Sequence, residues 1–364
     1  MTTATSTEIQ PDERIRIAIQ NWAPRFVANG VDINDFQRIT SDLVSWDAWC
    51  GAWAESGREH AELGKDAEST GNFLSAAQHY FQAAMMYHFG KFMFFHDPVQ
   101  YANAHAEVVR LYDRALPWFE FPGERVAIPY EDGRILYGIL RKPWHDPHPP
   151  VVIISPGLDS VKEEMHCYGD DFLKRGMATL ALDGPGQGEG EFELAMRSDY
   201  EVPVRHVIDY LEGRRDVDAN RIGIMGVSIG GYNAIRSAAL EPRIKAAIAL
   251  AIGYRLADYF DRVPILTRHA VVHKLKARDE DEARHKLRAW DLHGIVDDIR
   301  CPLLVVMGRL DRLFPPEPTE AMVRDAGPNA ELLMFDQGNH VCNNIPYRYR
   351  PLQADWMRLQ LRNS

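Results

Sequence analysis

At 364 residues the chain exceeds what one ordinary core holds, since domains mostly run about 100 to 200 residues, and two domains are expected. With 46% hydrophobic and 26% charged residues it has the composition of a globular protein, not a fibrous, disordered or membrane one. A formal net charge of −11 with no Lys/Arg-rich block leaves no electrostatic footprint for nucleic acid or anionic membrane, so the expected partner is a small neutral or cationic molecule.

Met1 to Glu8 has neither a cationic start nor an apolar run, and no later stretch approaches the roughly 18 apolar residues of a membrane span. Cys50, Cys167, Cys301 and Cys342 show no C-x-x-C spacing, which argues against a zinc site or disulfide framework and for free thiols in a reducing cytoplasm.

Residues 12–119 carry helical periodicity and almost no strand signal, so residues 1–120 are expected to form an all-helical domain. The clearest helix covers 72–95, where Phe73, Ala76, Ala77, Tyr80, Ala83, Ala84 and Tyr87 recur at spacings of three and four and give one apolar face. Prolines at 117 and 122 end the last helix, and β-type alternation begins. Runs at 124–130 and 134–140 flank Asp132-Gly133, a strong hairpin signal that opens a second domain over 121–364.

Apolar runs then alternate with helical patterns: strands at 151–154, 178–182, 222–225, 246–250, 303–307 and 331–335, and helices at 163–175, 202–214, 229–239, 318–325 and 352–361. This is the α/β class, a mostly parallel buried sheet flanked by helices. Residues 251–300 interrupt the series. Their aromatic part (Tyr254, Tyr259, Phe260) is suited to face a substrate at the mouth of the site, and 274–288 read as a solvated charged helix.

Gly226-Val227-Ser228-Ile229-Gly230 fits G-x-S-x-G, with an apolar strand before it and a helix pattern after it, as a serine on a tight strand-to-helix turn requires. A hydroxyl needs a base to take its proton, so a carboxylate and a histidine must follow in that order. Asp311 lies just past the strand at 303–307, and His340 just past the next. Loops at the carboxyl ends of parallel strands converge where ligands bind.

The oxyanion that forms on attack needs two backbone N–H donors. Ile229 supplies one, and Leu158 in the turn at 155–159 supplies the other. Residues 183–188 (Asp-Gly-Pro-Gly-Gln-Gly) are a weaker source for that donor and read as a tight connection; no Lys-Ser/Thr follows to make a phosphate loop. No histidine pair has H-E-x-x-H spacing, and neither metal nor cofactor is implied.

Residues 156–164 (Pro-Gly-Leu-Asp-Ser-Val-Lys-Glu-Glu), 183–188, 226–231, 308–311 and 338–340, behind a helical N-terminal segment, resemble one branch of the α/β-hydrolases. It is the 2,6-dihydroxypseudooxynicotine hydrolase branch, which also holds fungal polyketide-shortening enzymes. The resemblance spans nearly the whole chain. It implies hydrolysis of a carbon–carbon bond beside a ketone, an aromatic ketone as substrate, a helical cap over the pocket, and a homodimer.

Carried over, Ser228 attacks the ketone, or His340 activates water to do so, while Leu158 and Ile229 hold the oxyanion. Trp22, Tyr254, Tyr259 and Glu164 are the expected substrate contacts, with Trp53, Tyr80 and Phe94 as further stacking candidates. Glu163 and Glu164 alternatively orient the oxyanion loop or begin the next helix. Two rivals remain open: an ester or amide hydrolase using the same machinery, and a non-catalytic binding protein on this scaffold. The rival without catalysis would be expected to have lost a triad member, and none is missing.

Overall fold

The computed structural model describes residues 12–362, so the polar start at Met1 to Glu8 lies outside the described residues. Five helices come first: α1 (Glu13–Ala28), α2 (Ile33–Thr40), α3 (Trp49–Ser69), α4 (Phe73–Gly90) and α5 (Pro98–Ala115). Local chemistry sets several starts. The Asp12 carboxylate accepts the Arg14 amide at 2.8 Å, and Asp97 caps α5, with Pro98 in its first turn.

In its second half α4 is buried on every side, from Ala83 to Gly90, as befits the central helix of a bundle. Around it Phe26 stacks on Phe89, and Trp46, Trp49 and Trp53 pack in series. The helix expected over 72–95 stops at Gly90, because the chain turns sharply there and Met93 takes a φ of 52°.

The hairpin pairs β1 (Gly123–Pro129) with β2 (Ile135–Arg141) in antiparallel register, Pro129 opposite Ile135. Asp132 and Gly133 both have positive φ, the conformation a tight Asp-Gly turn demands. There follow β3 (Pro150–Ser155), α6 (His166–Leu173), β4 (Ala178–Asp183), α7 (Glu201–Glu212), β5 (Asp218–Val227), α8 (Ile229–Leu240) and β6 (Ile244–Leu250). After α9 (Ile265–Lys274) and α10 (Glu280–Leu287) come β7 (Leu303–Gly308), α11 (Pro316–Asp325), β8 (Ala330–Phe335) and α12 (Pro346–Arg362).

The eight strands form one sheet in the order β1-β2-β4-β3-β5-β6-β7-β8, parallel from β4 onward. Strands β3, β4 and β7 are buried throughout, which is why they read as unbroken apolar runs. The architecture is the expected α/β-hydrolase fold with a helical N-terminal region.

Three further expectations need correction. The helix after residue 162 begins at His166, not 163, because the Lys162 to Glu164 side chains are taken up in buried ion pairs. The stretch 274–288 is not one solvated helix: α9 ends at Lys274, whose ammonium is buried against Glu191, and the solvated helix is α10 alone. The last helix starts at Pro346, six residues before the expected 352. Among the described residues no helix is long and apolar enough to cross a membrane, and all four cysteines are free thiols.

Candidate active site

Strand β5 delivers Ser228 on a turn so tight that its φ is 57° and ψ −119°, a conformation costing a non-glycine residue about 1–3 kcal/mol. The flanking glycines make the turn possible. A Cβ on Gly226 would run into the Gly230 carbonyl, and one on Gly230 into the carbonyls of Ser155 and Pro156. The turn is held by the Ser228 amide, which donates to Leu250 O at 2.8 Å.

Loops after β7 and β8 bring in the other two groups. His340 Nε2 lies 3.0 Å from Ser228 Oγ, and His340 Nδ1 lies 2.8 Å from Asp311 Oδ2. Asp311 is fixed in turn: its Oδ1 accepts the amides of Leu313 and Phe314 at 2.8 and 3.0 Å. A proton leaving Ser228 can thus pass to an imidazole whose orientation is set by a buried carboxylate.

Leu158 and Ile229 line one cavity with Ser228, and among the described residues neither backbone N–H makes a hydrogen bond, which leaves both free to donate. The turn carrying Leu158 is braced by Gln187, whose amide donates to Pro156 O and Gly157 O at 2.7 and 2.8 Å. The 183–188 loop therefore acts as a structural connection beneath the oxyanion loop.

A cavity opens above Ser228, walled by α1, Met93 in the turn after α4, the 157–165 loop and the 251–300 insertion. Trp22, Met93, Tyr259, Phe260 and Val263 make most of it apolar. Trp22 and Tyr259 both line this cavity. Tyr254 does not: its hydroxyl donates to Asp325 Oδ2 at 2.8 Å and its ring stacks on His293, away from the cavity. Trp53, Tyr80 and Phe94 are bundle core, with Trp53 packed on Phe26 and the Tyr80 hydroxyl given to Glu68 at 2.7 Å.

Glu164 borders the cavity but has no oxygen left for a substrate. Its Oε1 accepts Arg25 Nε and Asn29 Nδ2 at 2.7 and 2.6 Å, and its Oε2 accepts Arg25 Nη2 at 2.7 Å and pairs with His88 Nε2 at 2.9 Å. All four lone-pair positions are used, so Glu164 is a tie between the helical region and the loop. Despite its burial, Arg25 beside it holds its carboxyl well below the usual carboxylate range, whereas burial keeps His88 neutral.

Sequence reasoning missed Arg25, Asp159 and Thr267. Arg25 falls in the buried stripe Ala18, Trp22, Arg25 of α1, which continues to the C-cap Asn29, and a charge inside an apolar stripe was the available signal. Thr267 lines the cavity from α9, is buried, and its Oγ1 has no hydrogen-bond partner among the described residues.

Behind the oxyanion loop, Glu163, Asp183 and Glu189 bring carboxylate oxygens close enough to suit a cation. The cation already there is the Lys162 ammonium, at 2.6, 2.8 and 2.7 Å from the three. Burial pushes the Glu163 carboxyl up to about 7.

Comparison with known proteins fits this geometry. A family model described as Esterase FrsA-like matches residues 44–308. The 2,6-dihydropseudooxynicotine hydrolase of Paenarthrobacter nicotinovorans is 30% identical over 354 residues, which cover 97% of this chain and 94% of that protein. The crystal structure of a 2,6-dihydroxy-pseudo-oxynicotine hydrolase superposes with a TM-score of 0.86 and 31% identity over 94% of this chain and 96% of its own. The 20-hydroxy-prefusarin hydrolase of Gibberella moniliformis is 33% identical over 217 residues, 56% of this chain and 51% of its own length. The chain therefore belongs to the FrsA-like esterase family, a group of enzymes with the α/β-hydrolase fold.

Proposed function

We propose that the chain is a serine hydrolase that cleaves the carbon–carbon bond between a ketone carbonyl and a hydroxylated aromatic ring, as in 2,6-dihydroxypseudooxynicotine. The observation that carries this is the extent of the likeness to 2,6-dihydropseudooxynicotine hydrolase, 97% of the chain, which takes in the helices that wall the cavity as well as the sheet. We assign residues 1–120 as the cap domain and 121–364 as the catalytic domain.

His340 takes the Ser228 proton as Oγ attacks the carbonyl carbon, and the oxyanion settles between the Leu158 and Ile229 amides. On collapse, the bond to the ring breaks and its electron pair leaves with the ring carbon, where hydroxyl-bearing ring positions spread the charge. The imidazolium returns its proton to that carbon. Water, activated by the same imidazole, then splits the acyl-enzyme, releasing a carboxylic acid and free Ser228. Trp22 and Tyr259 offer aromatic faces to the ring, and the Thr267 hydroxyl bonds one of the substrate's oxygens.

A second reading, ester hydrolysis, is favoured by the description of the matching family. Steady-state kinetics on 2,6-dihydroxypseudooxynicotine and on p-nitrophenyl esters separate the two. A kcat/KM at least tenfold higher on the ketone supports carbon–carbon cleavage, and the reverse order makes the chain an esterase. The likeness to 2,6-dihydropseudooxynicotine hydrolase further suggests a homodimer, with light scattering on the purified protein as the check, and the four free thiols suit a reducing cytoplasm.

A further inference from the structure

We infer that Arg25, on the first helix of the helical region, is a positioning residue that completes the oxyanion site from outside the catalytic sheet. The inference rests on the triad and oxyanion roles proposed above, not on the identity of the substrate.

Its guanidinium is buried and divides its donors between two anchors. One side holds Glu164 through Nε and Nη2, both at 2.7 Å. The other reaches the oxyanion loop itself: Nη1 donates to Asp159 Oδ2 at 2.7 Å and Nη2 to Ser160 Oγ at 3.0 Å. Asp159 and Ser160 directly follow Leu158, the residue whose amide must face the oxyanion. A planar, rigid fork bound at three points fixes such a turn in a way a single ammonium cannot.

Charge gives Arg25 a second task. The Asp159 carboxylate faces the same cavity as Ser228, one residue from the oxyanion donor. Unpaired, it would repel the negative oxygen that forms on attack, in a site where water screens poorly. Arg25 is the cation paired with it, at 2.7 Å. Helix α1 is secured to the catalytic sheet's last helix as well, since Arg350 of α12 donates to Ala28 O and Asn29 Oδ1 at 3.0 and 2.7 Å. Docking of the helical region and assembly of the oxyanion hole are therefore one event.

The test uses the full chain and a fluorophosphonate probe, which reports Ser228 attack and oxyanion binding whatever the natural substrate is. Because Arg25→Met alone would strand the Glu164 charge, the working variant is R25M/E164Q, in which both members of the buried pair are neutral. Expected is a fall in the second-order labelling rate, and in kcat on any turned-over substrate, of about 10²-fold, the size of losing one oxyanion donor. KM should stay within about threefold and the circular dichroism spectrum unchanged.

Adding D159N to that variant should recover at least tenfold by removing the bare carboxylate. Labelling of R25M/E164Q at the wild-type rate would overturn the inference. Equal rates for the double and triple variants would overturn the charge-cancelling half of it. If the wild type labels and the variants behave as expected while 2,6-dihydroxypseudooxynicotine is not cleaved, the positioning role stands and only the substrate reading fails.

Discussion

His340 Nδ1 sits 2.8 Å from Asp311 Oδ2, while the other Asp311 oxygen is already committed to the Leu313 and Phe314 amides. That division of labour dictates what Asp311→Asn does. The Asn oxygen keeps the two backbone donors, so its NH₂ faces His340, the imidazole proton moves to Nε2, and Ser228 loses its base. A fall in kcat of about 10⁴-fold is expected with the fold intact. Steady-state kinetics alongside circular dichroism check it, and a variant retaining a tenth of wild-type kcat would remove Asp311 from the mechanism.

Such a site was legible because its signals are local. Ser228, Asp311 and His340 each follow a strand whose run is visible in four or five residues, and the sheet order then brings them together. The ties across the cavity were not legible. Arg25 meets Asp159 and Glu164 across 134 and 139 residues of chain, and nothing near Arg25 names its partners. Tyr254 was misjudged for the same reason, since Asp325, which takes its hydroxyl, is 71 residues away. Periodicity reports which face is buried, but not whether the burying surface is substrate or protein.

Among the described residues the Thr267 hydroxyl has no partner, in an otherwise apolar part of the cavity. A buried hydroxyl left unpaired costs free energy, and a substrate oxygen that satisfies it recovers about 1–1.5 kcal/mol. Thr267→Val keeps the shape and removes the bond. We expect kcat/KM on a ring-hydroxylated aryl ketone to fall about tenfold, T267S to retain most of it, and p-nitrophenyl butyrate to be turned over at the unaltered rate. Equal losses on both substrates would assign Thr267 to packing alone.

Acid should destabilise the protein well above the usual carboxylate range. Burial holds His88, His105 and His166 neutral, with pKa values pushed below the ordinary 6.5, that of His166 to about 3. The unfolded chain therefore binds more protons than the folded one below about pH 6.5, and stability falls as pH drops, by up to about 1.4 kcal/mol per unit for each histidine. Glu163, raised to about 7, works in the opposite sense between roughly pH 4.3 and 7 and offsets one of the three. A net loss of stability from pH 6 to 5 is expected in urea melts. His105, with both ring nitrogens unpartnered among the described residues, gives the control: H105F should flatten the slope. An unchanged slope in H105F would discount burial of this imidazole as a cause.

The Lys162 ammonium, buried among Glu163, Asp183 and Glu189, supports the oxyanion loop from below and makes the opposite pH prediction when removed. Lys162→Met leaves three carboxylates facing one another with no cation between them. Asp183 keeps the Lys162 and Glu189 amides at 2.8 and 3.0 Å, and Glu163, whose carboxyl burial already raises, takes up a proton. The expected cost is about 3–5 kcal/mol, the usual penalty for breaking a buried ion pair by removing one partner. A carboxyl whose folded pKa is raised contributes stability below its unfolded value near 4.3 and loses it as pH rises through the folded value. The deficit of K162M relative to wild type should accordingly be smaller at pH 5.5 than at pH 8, measured by urea melts at both. Identical deficits at the two pH values would mean that lost packing of the lysine stem, rather than uncompensated charge, sets the cost.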